Sequence, residues 1–324
     1  NLTIAALGSI GSDANALGMR AAGVTTLTVG NPKLDIVNIE GTGGVNFLPI
    51  RANSVSIAAM GDILAVGAKG RDIAANSLSI RTVIGDVGAA ERPIRTSVAN
   101  LTAIGENVFI ENDRSLVIES VLGVNVNLAV NGKVTSGSGA LDIFASVLNL
   151  RASGSIGSKN NRLDIHVGEI DIAGKNMYLH NSSGNLHVNR IDGKNVNIVA
   201  DGGVTGGIIL ADNLRINAIG GIGIKGDPLT GNVPGNVNLF SLYGRIYWKN
   251  LFRLETYIPR TLTDPPTGVT VVGHIHRRAI LIVTDLTLPG QEILGELIRD
   301  ALLSEALVLA YRIQLLVPGG GTAF

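Results

Sequence analysis

Residues 154–163 read GSIGSKNNRL: two glycines around Ser155-Ile156, a short polar stretch, then the aliphatic Leu163. The same word returns at 8–17 (GSIGSDANAL), 85–94 (GDVGAAERPI) and 220–229 (GGIGIKGDPL). Each copy follows a short alternating segment, NLTIAAL, LSIRTVI, LNLRAS or LRINAI. Agreement on both flanks marks an internal repeat. The copies begin 77, 69 and 66 residues apart, too far for one turn of a solenoid. Each unit should therefore hold about three coils of ~22 residues.

Between the copies, residues 1–258 are short runs with period two. In VSI (55–57), LSI (78–80), VFI (108–110), VNI (196–198) and LRI (214–216), outer aliphatics flank a middle residue that is mostly polar. Strands with one buried face read this way. Gly and Asn between them supply the corner conformations of a coil. Hairpin signals are sparse, so the predicted fold is all-β, a parallel β-helix in which each strand pairs with its equivalent one coil above. At ~4.8 Å per coil, about twelve coils give a rod roughly 55–60 Å long. The element G-x-N-V-N-[LI] at Gly123–Leu128 and Gly193–Ile198, with a variant at Gly235–Leu239, puts Asn125, Asn195 and Asn236, or their neighbours, in register as amide ladders. The competing reading makes these residues turn formers only.

Composition narrows the function. Lys+Arg and Asp+Glu are 26 each, so no net field draws nucleic acid or an anionic membrane. No cysteine is present, which excludes disulfides and thiolate metal sites and is compatible with secretion. The most apolar segment, 293–317, carries Glu296, Arg299, Asp300, Glu305 and Arg312, so no transmembrane span is expected. The chain opens at Asn1 without a leader pattern, and we expect a piece processed from a larger secreted precursor.

Half of the aromatic residues, Phe240, Tyr243, Tyr247, Trp248, Phe252 and Tyr257, fall within 240–257, before the breaker TLTDPPTG (261–268). The end of a β-helix needs a differently composed cap, and large aromatics suit one. Tyr243, Tyr247, Trp248 and Phe252 are thus candidate cap residues, or alternatively a glycan-stacking platform. Residues 259–324 form a second unit, a cap or assembly segment. Its stretch 269–288 reads as two strands. After Pro289 follows one amphipathic helix with Ile293, Leu297, Ala301 and Val308 near one face, and then a strand-like tail containing Ile313 and Leu315. These six apolar residues are the candidate interface for self-assembly, in cis or with a second copy.

Enzymes on β-helices need acids converging from adjacent coils. Glu169 and Asp171 share a strand face. Asp35, Asp142 and Asp164 recur in L-D-I triplets and read as outward strand positions. His274 and His276 project to one side of a strand, but Arg277 and Arg278 would repel a cation. Asp201-Gly202-Gly203 has only a superficial likeness to calcium-binding repeats. No catalytic, cofactor or metal site is therefore assigned.

The stretch GSIGSKNNRLDIHVGEIDIAGKNMYLHNSSGNLHVNRIDGKNVNIVADGGVTGG (154–207) resembles the repeats of filamentous haemagglutinin-type bacterial adhesins, secreted by two-partner systems. The likeness covers about 1–240 and is weakest at 220–231, where Pro228 stands before Leu229 and GNVPG follows. It implies a right-handed parallel β-helix, passage to the cell surface, and adhesion or fibre formation. The expected function is an extracellular structural or adhesive filament subunit or shaft, with itself and surface glycans or proteins as partners. The alternative is a β-helix that binds or cleaves polysaccharide.

Overall fold

The computed structural model describes residues 2–12, 15–19, 24–28, 36–67, 70–182, 184–252, 269–275 and 278–283. It is all-β, a parallel β-solenoid of about 11 turns, with no helix among the described residues. The expected helix and tail after Pro289, with Ile293, Leu297, Ala301, Val308, Ile313 and Leu315, lie outside the described residues. Strands Val269–Ile275 and Arg278–Val283 form an antiparallel pair in which His274 faces Ala279. His276 lies outside the described residues.

Coils stack in register, like on like. Val37, Val55, Leu78, Leu101 and Ile118 form one column. Val108, Val126, Leu148, Ile170 and Val188 form another. All ten side chains are buried. Because each aliphatic meets its counterpart one coil away, side-chain alternation is copied up the rod and a one-residue slip would turn every column inside out.

Coil length is not constant. Register partners lie 18 residues apart from Val108 to Val126 and from Ile170 to Val188. They lie 22 or 23 apart where the glycine word intervenes, from Leu148 to Ile170, Leu78 to Leu101 and Leu214 to Val237, and also without it, from Val55 to Leu78 and Val126 to Leu148. The word itself makes a tight turn. In all four copies the central aliphatic is buried, Ile10, Val87, Ile156 and Ile222. The second glycine then takes positive φ, 72° at Gly11, 76° at Gly88, 63° at Gly157 and 68° at Gly223. A two-way backbone bond closes the turn at Ser12/Asn15, Ala89/Arg92 and Ile224/Asp227. In the fourth copy Ser158 N–H donates to the Asn161 carbonyl at 2.7 Å.

Side chains take up the corner donors. Carboxylate, amide or hydroxyl oxygens accept the backbone N–H one coil above: Asp62 from Asp86 at 2.9 Å, Asp72 from Arg95 at 2.9 Å, Ser115 from Lys133 at 3.1 Å, Asp142 from Asp164 at 2.8 Å, Asn185 from Gly203 at 2.8 Å. Asp142 is therefore not the outward residue its L-D-I triplet suggested. It is fully buried, because its carboxylate is needed at a corner where two N–H groups, of Asp164 and Gly137, converge. Burial pushes its carboxyl pKa up, against those hydrogen bonds.

Amide ladders exist, with a membership different from the expected one. Asn195 Nδ2 donates to Asn176 Oδ1 at 2.7 Å and Asn213 Nδ2 to Asn195 Oδ1 at 2.8 Å, while Asn236 contributes its backbone N–H to Asn213. Asn125 belongs to a separate ladder with Asn107 (2.6 Å) and Asp86. The ladders join adjacent coils, whereas the sequence comparison had aligned positions several coils apart.

Candidate functional site

The aromatic cluster divides by direction. Trp248 is buried, pairs in register with Leu229 and covers Gly231, where a Cβ would run into the indole. Tyr243 is 83% exposed, Phe240 53% and Phe252 36%, and Tyr247 is half-buried. Trp248 thus turns away from any platform, whereas the other four rings are exposed or half-buried. Trp248 is a core residue of the last described coil. Tyr257 lies outside the described residues.

The acids also sort themselves. Asp171 pairs with Arg151 at 2.8 Å, and Glu169 accepts from Asn189 at 3.3 Å. Asp35 lies outside the described residues. Gly202, after Asp201, packs on the Gly184 carbonyl as a corner residue. Among the described residues no group of three His, Asp or Glu side chains could hold a metal ion.

Asp164, with Asp201, instead clamps a histidine that the sequence did not single out. His180 Nδ1 lies 2.7 Å from Asp164 Oδ1, and its Nε2 lies 3.2 Å from Asp201 Oδ1. Burial alone would lower the His180 pKa, but bonds and charges from the two carboxylates outweigh it and hold the value above the ordinary one. The folded pKa thus exceeds the unfolded one. The clamp's stability is complete below the unfolded value of about 6.5 and is lost as pH rises through the folded value. We expect an NMR titration to find His180 protonated above about pH 6.5 and His180→Gln to flatten the fall in stability on the alkaline side. A His180 midpoint below that of a model peptide would refute the clamp.

Among the described residues, depressions mark the outer surface, and two of them carry charged or amide side chains. The larger, about 760 Å³, is lined by Arg71, Arg95, Glu111, Asp113, Arg151 and a floor that includes Ala129, Ala152 and Ala173. Its arginines are neutralised within the protein, Arg71 by Asp113, Arg95 by Asp72 at 2.9 Å and Arg151 by Asp171. The smaller, about 280 Å³, runs across four rungs that stack Tyr178, Asn197, Arg215 and Asn238 in one outward column, beside Asn195, Asn213 and Asn236. Arg162 stands beside it, Nη1 donating to Asn197 Oδ1 at 3.1 Å and to the Leu179 carbonyl at 3.3 Å. Neither Arg162 nor Arg215 has an ion-pair partner among the described residues. We take the smaller groove as the stronger site, because Arg215 and the side-chain amides of Asn236 and Asn238 have no protein partner among the described residues, although Asn195, Asn197 and Asn213 are engaged. No single word of sequence carries it; it exists only once four coils are stacked.

No family model matches the chain, nor does any curated protein or solved structure. Fold and site together define a parallel β-solenoid with a polar groove on one flank, lined by Arg215 and adjoined by Arg162.

Proposed function

We propose that the chain is an extracellular structural or adhesive protein, a β-helical cell-surface shaft or filament subunit that assembles end to end. The observation that carries this reading is the parallel stack of the described residues between Leu2 and Asn250, in which coil joins coil through backbone pairing, aliphatic columns and amide ladders. Such a body is a stiff spacer whose length grows with coil number. The resemblance of 154–207 to filamentous haemagglutinin-type repeats supports the same setting, the bacterial cell surface after processing of a larger precursor. Segment 289–324 is the proposed joint, since a head-to-tail contact that does not close into a ring makes a fibre. Electron cryo-microscopy of the purified chain should show filaments with an axial repeat near one rod length, about 50 Å for this stack. A chain that stays monomeric at high concentration, and loses only stability on deletion of 289–324, rules out end-to-end assembly.

A second reading, polysaccharide binding, is favoured by the groove itself. It offers asparagine amides, a tyrosine and the Arg215 guanidinium, with Arg162 held at its side by Asn197.

A further inference from the structure

We propose that the groove between Tyr178 and Asn238 binds an acidic polysaccharide through the carboxylates of its uronic acid units; the inference rests on the glycan-binding reading. Arg215 stands on the rung directly above Asn197, and Asn197 holds the Arg162 guanidinium. Arg215 lines the groove, Arg162 stands beside it on Asn197, and no carboxylate lines it. Asp164, whose charge reaches Arg162, is itself engaged by His180. Burial first and then the charge of Arg215 lower the Arg162 pKa, against smaller opposing effects of Tyr178 and Asp164. An anion placed there relieves the repulsion and gains charge-assisted hydrogen bonds.

The rest of the groove selects the kind of anion. Guanidinium forks match planar carboxylates. The side-chain amides of Asn236 and Asn238 have no protein partner among the described residues and can both donate to and accept from ring hydroxyls. Tyr178 supplies an apolar face with a polar tip at the lower end. Four rungs span about 14 Å, room for a short oligosaccharide laid along the rod axis. A pyranose uronate carries carboxylate and hydroxyls on one ring, the combination these side chains present.

The test is calorimetric titration of the full chain with trigalacturonate, with maltotriose as the neutral counterpart and sodium sulfate as the bare anion. Trigalacturonate should bind, weaken steeply with salt, and lose at least tenfold in affinity in Arg215→Gln, an exposed substitution that leaves the circular dichroism unchanged. Arg151→Gln, on the other depression, should leave the affinity as it was. Maltotriose binding as well as trigalacturonate, with Asn238→Ala weakening both, would keep the glycan reading and overturn the acidic one. Sulfate competing on equal terms would reduce the site to an adventitious anion site and overturn the proposal. No binding by any of the three would overturn both readings.

Discussion

Gly157→Ala should destabilise the rod by about 3–5 kcal/mol, a large fraction of what holds any one region together. Gly157 sits at φ 63°, where an L side chain is strained, and the added Cβ would fall on the Tyr178 carbonyl and 2.8 Å from the Leu163 amide nitrogen. Both obstacles are backbone of pinned strands, so neither can move aside cheaply. Gly88→Ala should behave alike, with its Cβ 2.5 Å from the Phe109 carbonyl. The first glycine of the word gives an internal contrast. Gly154→Ala meets Gly132 backbone at 2.7 Å, whereas Gly8→Ala meets nothing within 4 Å. Urea melts of the four variants should rank Gly157→Ala, Gly88→Ala and Gly154→Ala far below Gly8→Ala, and a wild-type-like midpoint for Gly157→Ala would discredit the turn.

The second large effect lies in the core. Asn112 is 3% exposed, yet its Oδ1 accepts from Val98 N–H at 2.9 Å and from Thr96 Oγ1 at 2.8 Å, and its Nδ2 donates to the Val98 carbonyl at 3.1 Å and the Arg114 carbonyl at 2.7 Å. It fastens a bend of the coil below. Asn250 does the same at Val233, accepting at 3.0 Å and donating at 2.9 Å. Asn181 does half of it, accepting from Val167 N–H at 3.1 Å while its buried Nδ2 has no partner. Asn112→Ala leaves buried donors and acceptors unmet at about 1–3 kcal/mol each and should cost about 3–5 kcal/mol in total. Asn181→Ala removes an orphan along with its one bond and should cost about 2 kcal/mol less. Equal losses in the two variants would mean that the amides merely fill space.

These asparagines also show where sequence reading stops. The columns were legible because Val55, Leu78 and Leu101 each sit in an alternating word, and period two fixes which face is buried. The glycine words were legible because the chain repeats them. Val98, Val167 and Val233 each stand ten residues past the second glycine, and Asn112 and Asn181 each stand 24 past it, so the offset was there to be found. An isolated Asn, however, reads as a turn former, and only packing turns it inward. Asp142 misled for the same reason, since L-D-I is an alternating word and the corner overrides the alternation. The groove was least legible. Arg162 and Arg215 are 53 residues apart in the chain and become neighbours only through the register of three coils.

One feature of the corners reaches beyond stability. From Ser9 and Ile36 through Asp62 and Asp86, Asp142 and Asp164, to Asn213 and Asn236, the earlier residue offers the acceptor and the later one the donor. The ladders run the same way, with Asn125 giving to Asn107 and Asn213 to Asn195. These corners and ladders therefore share one direction, and a coil laid down in chain order finds their acceptors already in place, whereas the bends held by Asn112, Asn181 and Asn250 run the opposite way and close only when the later asparagine arrives.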